Sequence, residues 1–330
     1  MSGLCTLLAG GAGAKCATIR ESSRAEKRGF PMTSPEKPIT PVGMKNILVA
    51  IDFSEISQRA LAHAAALARI FGATVYGAHV VPFDKNPFAE PESAELALRQ
   101  AGLSAKEQIG KMFSQAGISA GDSQILVGDG DVGGVIAGLV REHSADLLVV
   151  GTTGRQGLEK VLLGSVAEEL IRSSPCPVLS IGPDVADKAP ATIASIVCGI
   201  DFSPESLHAA PYAFRLARMF AAQVTVVHVA REPEESAVEM QQLLTKRLKE
   251  QVWPDAGPAG PDFVVAFGEP AAELLKVASE RNAGLIVIGV RGSGAFTRRS
   301  THFGSTAHEV VSQAPCPVLT VREWEDEEDH

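Results

Sequence analysis

Apolar positions along the chain fall into two alternating patterns. "NILVAI" (46–51) is a short, nearly continuous apolar run, as expected of a strand covered on both faces. The next segment, "SEISQRALAHAAALARIFG", sets Ala60, Leu61, Ala64, Leu67, Ala68 and Phe71 at helical spacing, and Gly72 closes the helix. "TVYGAHVV" is a second strand, and a more polar helical segment spans 92–116. "SQILVG", "DLLVVG" and "CPVLSI" then read as strands three to five, with "VIAGLVREHS" and "SVAEELIRSS" as helices between them. Strict alternation with buried strands predicts a parallel, doubly wound α/β sheet.

The pattern is written twice. Residues 46–81 align without gaps on 195–230, keeping Ile-Asp-Phe-Ser, Leu-Ala-Arg-x-Phe and His-Val in register. The copies also end alike, "SSPCPVLSI" against "QAPCPVLTV". Each copy is long enough for its own core, so the expected fold class is two tandem doubly wound parallel-sheet domains, Rossmann-like in layout. The expected boundaries are 44–183 and 194–322, joined by a Pro/Asp/Ala-rich linker at 184–193. Residues 1–43 are rich in Gly, Pro, Ser and Thr without a sustained period. They read as a disordered extension, or as a start placed too early, with Met32 or Met44 as the true one. "AGGAGAKC" is a poor phosphate loop, with Ala14 and Cys16 where Gly and Ser or Thr belong and no strand before it. Residues 323–330 form an acidic tail.

Composition narrows the function classes. A net charge of −9 argues against a nucleic-acid binder, which needs clustered basic residues, but leaves room for a small phosphate ligand held by backbone N–H groups. No apolar run approaches the ~18–20 residues needed to cross a bilayer, so no membrane partner is expected. The cysteines, Cys5, Cys16, Cys176, Cys198 and Cys316, are odd in number and lack C-x-x-C spacing. Neither a disulfide framework nor a zinc site is expected, and a reducing cytoplasm fits.

In doubly wound sheets, ligands bind beyond the carboxyl ends of the strands. Three features fall there: Asp52 and Asp201 after the first strand, His79-Val80 and His228-Val229 on the second, and a glycine segment after the fourth. Glycines permit close backbone approach, and the helix opened by Ser165 offers N–H groups to an anion. A structural alternative stands beside each. Ser165-Val-Ala-Glu168 is a capping-box sequence, Asp52 can cap the next helix, and a strand-end histidine is usually packed and hydrogen-bonded. Cys176 and Cys316 read as small packed hydrophobes.

Gly151, Gly154, Gly164 and Ser165 follow G-x2-G-x9-G-[ST], which resembles the ATP-binding signature of the universal stress protein family. "NILVAIDFSE", "HVV", "DLLVVGTTGRQGLEKVLLGSVAEELI" and "PCPVL" occur in family order over 45–182 and recur over 194–322. The chain is therefore identified as a tandem member of that family, whose fold is adenine nucleotide alpha hydrolase-like. The resemblance implies that Asp52 lies beside the nucleoside and that the Val80 backbone contacts adenine. It further implies that Gly151, Thr153, Gly154, Gly164, Ser165 and Val166 hold ribose and phosphates, with Mg2+ carried by phosphate oxygens and water. The fifth strands are the implied pairing edges of an internal pseudo-dimer, and a homodimer and unknown protein partners remain open.

In the second copy the corresponding residues are Asp201, Val229, Gly289, Arg291, Gly292, Gly304 and Ser305, but eleven residues rather than nine precede Gly304. The insertion carries Arg298 and Arg299, which alter the loop yet suit phosphate. The favoured expectation is an ATP-binding stress-response module with no or weak hydrolysis, since no general base stands near the phosphates; Glu159 lies on a loop of unknown pose. The alternative is a nucleotide-independent interaction protein with degenerate sites.

Overall fold

The computed structural model describes residues 43–81, 91–153, 163–186, 192–231, 237–252, 260–290 and 304–322. Residues 1–42 of the expected N-terminal extension, residues 187–191 of the expected linker, the acidic tail, Cys5, Cys16, Gly154, Glu159, Arg291, Gly292, Arg298 and Arg299 lie outside them. The first copy runs β1 (Asn46–Ala50), α1 (Glu55–Phe71), β2 (Thr74–Val81), α2 (Pro91–Gln115), β3 (Ser123–Asp129), α3 (Val132–Glu142), β4 (Leu147–Gly151), α4 (Ser165–Ser173) and β5 (Val178–Ile181). The second repeats it as β6 (Ser195–Gly199), α5 (Pro204–Phe220), β7 (Gln223–Ala230), α6 (Ala237–Val252), β8 (Asp262–Phe267), α7 (Pro270–Glu280), β9 (Leu285–Gly289), α8 (Ser305–Gln313) and β10 (Val318–Val321).

Local chemistry sets the helix ends. Ser54 caps α1 by accepting from the Ser57 N–H, and Ser203 caps α5 by accepting from the Ser206 N–H. Gly72 ends α1 in the left-handed region at φ 64°. The matching cap of α5 is Ala221 at φ 52°, where a side chain is present and the backbone is strained.

The strands form a ten-stranded sheet in the order β3-β2-β1-β4-β5-β10-β9-β6-β7-β8. Within each copy neighbouring strands are parallel, and the order reverses between β1 and β4 and between β6 and β9. The copies meet where β5 and β10 pair antiparallel, with Leu179 directly opposite Leu319. Helices cover both faces, which is why the strands are apolar throughout. Ile47, Val49, Val149, Val287 and Leu319 belong to one buried layer, and Leu48, Leu148, Val178, Ile286 and Val318 to the other. Both layers continue across the seam, so the two copies share their core.

Further bonds fasten the seam. Across it Arg322 Nη1 donates to the Arg172 carbonyl at 3.0 Å, while Arg59 Nη1 holds the end of the first copy by donating to the Pro183 carbonyl at 2.8 Å. Phe71 and Phe220 meet edge to face with centroids 6.2 Å apart. His63 Nε2 lies 3.1 Å from the Ala186 carbonyl; because a carbonyl only accepts, Nε2 carries the proton. Burial outweighs that bond and lowers the His63 pKa. Among the described residues no helix is long and apolar enough to cross a membrane.

Candidate functional site

Each reversal of strand order opens a crevice at the carboxyl ends of the strands. One wall is the turn after the first strand. Asp52 Oδ1 accepts from the Ser54 N–H at 2.9 Å and from the Ser54 hydroxyl at 2.5 Å. Phe53, between them, is held at φ 63°, a left-handed conformation that costs a bulky residue about 1–2 kcal/mol. What holds it is His79: its Nδ1 donates to the Ile51 carbonyl at 2.7 Å, and its ring lies against Phe53 with centroids 4.5 Å apart. The second copy reproduces the arrangement with Phe202 at φ 63°, His228 Nδ1 on Ile200 at 2.7 Å and rings 4.6 Å apart.

These histidines therefore brace the turn that presents Asp52 and Asp201. Burial pushes the Asp201 carboxyl upward, but hydrogen bonds from the Ser203 hydroxyl, the Ser203 N–H and Ser206 outweigh it and hold the pKa below the usual value. Asp201 is exposed and Asp52 half-buried. Val80 is buried, whereas Val229 is half-buried and lines its cleft.

The opposite wall is the glycine segment. Gly151 ends β4, and a Cβ there would meet Ile56 Cγ2 at 2.9 Å, so glycine lets α1 approach the strand end. Thr152 donates its N–H to Ile181 at 2.9 Å and accepts from the Gly164 N–H at 2.7 Å. The second bond clasps the two ends of the loop; Thr153 is half-buried beside it.

Helix α4 then starts differently from the capping-box expectation. Its N-cap is Gly164, at φ −66° and ψ 144°, which as a glycine brings no capping side chain of its own. Ser165 is the first helical residue instead, because the clasp holds Gly164 in the extended, half-in position. The Ser165 hydroxyl is thus not used as a cap, and Ser165 and Val166 are both exposed. Helix α8 begins in the same way, with Gly304 as an N-cap and no capping side chain. A helix end left uncapped beside hydroxyls attracts negative charge.

The second crevice is a cleft of about 360 Å³, within the size range of small-molecule sites. Asp201, Ser203, Glu205, Gly289, Gly304 and Ser305 are among its lining residues. A Cβ on Gly289 would collide with the backbone of Glu205 and Ser206. Between Gly304 and Val290 no bond matches the Gly164–Thr152 clasp. The clasp and the lining role of Glu205 were not anticipated from sequence. Glu205 had a signal, since the repeat aligns it with apolar Ile56. The clasp had none, because it is a backbone bond.

The cysteines are packed. Burial pushes the Cys176 thiol up to about 11 and the Cys198 and Cys316 thiols up to about 12. Among the described residues no three His, Cys, Asp or Glu side chains form a metal-binding group.

Two parallel 3-2-1-4-5 sheets joined through their fifth strands, each with a glycine-edged crevice at its strand reversal, define a tandem doubly wound α/β protein. The universal stress protein family model matches residues 43–181 and 192–322, and the chain belongs to that family. It is similar to a universal stress protein of Methanocaldococcus jannaschii, with 36% identity over 143 residues that cover 42% of this chain and 81% of the relative. A universal stress protein of Mycobacterium tuberculosis is 27% identical over 308 residues, covering 84% of this chain and 94% of that one. The crystal structure of a universal stress protein from Archaeoglobus fulgidus has a TM-score of 0.65 at 19% identity, over 84% of this chain and 98% of that one. That likeness shows the fold.

Proposed function

We propose that the protein is a stress-response module that binds ATP in its first crevice and changes its partner-facing surface when it does so, with little or no hydrolysis. The observation that carries this reading is the start of α4. A glycine N-cap without a capping side chain stands next to exposed Ser165 and is clasped to the far end of the loop. Phosphates placed there would satisfy first-turn N–H groups that otherwise face water. Asp52, fixed by Ser54 and by the His79-braced turn, is positioned to accept from ribose hydroxyls. On this reading the Val80 backbone meets adenine, and Gly151, Thr153, Gly164, Ser165 and Val166 meet ribose and phosphates, with Gly154 between them in sequence. Mg2+ would be held by phosphate oxygens and water, which suits an ion that keeps much of its hydration shell.

A phosphotransferase needs a group that activates the attacking nucleophile. On this reading His79 serves as the brace of the turn, with Nδ1 donating to Ile51 and its ring packed on Phe53. ATP acts instead as a ligand whose phosphates engage the start of α4, and the copies joined through β5 and β10 act as an internal pseudo-dimer.

The test is to purify the chain without added nucleotide, denature it, and identify nucleotide in the protein-free supernatant, followed by titration with Mg·ATP. Bound ATP or ADP that is lost in Gly154→Val and Ser165→Ala is the expected result. Absence of binding in both experiments refutes the reading and leaves the chain as a nucleotide-independent interaction module.

A further inference from the structure

The two crevices differ at one wall residue whose chemistry is opposite. Ile56 and Glu205 occupy the same place, two residues after the capping serines Ser54 and Ser203. In the first copy Ile56 presents methyl groups to Gly151, where β4 passes into the glycine loop. In the second copy the Glu205 backbone presses on Gly289 at the equivalent point, and Glu205 lines the cleft with one carboxylate oxygen shut off from solvent. Asp201 lines the same cleft.

We infer that Glu205 is a specificity-determining residue that turns the second cleft away from triphosphates and toward adenine nucleosides or monophosphates, while Ile56 leaves the first crevice to ATP. The inference rests on the ATP reading of the first crevice. Its physical basis is a carboxylate in the first turn of α5, where it already supplies the negative charge that the helix end favours. A polyphosphate entering the cleft meets that carboxylate as a like charge, or must displace whatever pairs with it, and either weakens binding. Two carboxylates and the hydroxyls of Ser203 and Ser305 instead offer acceptors to neutral hydroxyl and amino donors.

The test is calorimetric titration of the nucleotide-free full chain with Mg·ATP, AMP and adenosine. Wild type, Glu205→Gln, Glu205→Ile and Ile56→Glu are compared, with folding checked by circular dichroism. Glu205→Gln keeps the size of the side chain and serves if Glu205→Ile does not fold. The expected wild-type result is one strong ATP site, which Ile56→Glu weakens. Both Glu205 variants should raise ATP affinity at the second cleft by roughly tenfold or more, the scale of removing one charge a few ångströms from phosphate near a protein surface. Adenosine binding there should rise little or fall. Equal ATP affinity at both sites of the wild type, or a folded Glu205→Gln that leaves the ATP titration unchanged, overturns the inference while the ATP reading stands. A wild type that binds no ATP removes both.

Discussion

His79 and Ile51 are joined by a 2.7 Å hydrogen bond from the imidazole Nδ1 to the main-chain carbonyl, and His228 and Ile200 repeat it at the same length. The bond reaches from β2 to the end of β1 and, with the ring contact to Phe53, keeps that residue in a left-handed conformation. A histidine whose place at a strand end reads as packed and hydrogen-bonded thus serves to shape the Asp52 turn.

Replacing it separates the two contributions. His79→Phe keeps a ring against Phe53 but leaves the Ile51 carbonyl without this donor; His79→Ala removes both. Urea unfolding should show losses of about 1–2 kcal/mol for Phe and about 2–3 kcal/mol for Ala. Equal stability of all three proteins would refute the bracing role.

Gly77 and Phe113 form a pair matched in volume. A Cβ on Gly77 would come within 2.7 Å of the Phe113 ring and 3.0 Å of Ile109 Cγ2, whereas the repeat places Val226 at the position of Gly77. Gly77→Val alone should therefore overpack the first core and cost about 1–3 kcal/mol. Adding Phe113→Val should recover part of that loss, which a double-mutant cycle of denaturant midpoints would read as coupling. Purely additive effects would rule the pairing out.

Thr152 carries a buried hydroxyl, 1% exposed, for which no hydrogen-bond partner stands among the described residues. Its counterpart in the second copy is Val290. The clasp to Gly164 uses the Thr152 carbonyl, which the exchange leaves in place. Thr152→Val should stabilise the protein by about 1 kcal/mol, because an unsatisfied polar group is replaced by a methyl of similar shape. Thermal denaturation would show a raised Tm; a lowered one would mean that the hydroxyl is bonded.

Ala221 takes the left-handed cap of α5 that Gly72 takes in α1. Ala221→Gly should relieve that strain and raise stability by about 1 kcal/mol, less the entropy that glycine loses on folding. The reverse exchange, Gly72→Ala, should lower stability by a similar amount in the same melting experiment.

Much of the fold was legible because it rests on short-range periodicity and on repetition. The run "NILVAI", the helical spacing from Ala60 to Phe71, and the equivalence of Asp52 with Asp201 follow from residue order alone. The candidate site was legible as a set of strand-end positions, with its glycines interpretable through family resemblance. Ser165 shows where that kind of reading fails. Its capping-box pattern is a local rule, but the bond from the Gly164 N–H to the Thr152 carbonyl moved the cap back by one residue.

Sequence by itself determined the alternation of strands and helices, the duplication, and which residue types stand at the strand ends, since each depends on neighbours a few positions apart. Tertiary structure decided the register that puts Leu179 opposite Leu319, the brace from His79 to Ile51, and the packing of Glu205 on Gly289. Each of these joins residues distant in the chain through backbone atoms or excluded volume. Neither leaves a mark in residue order that a local rule can read.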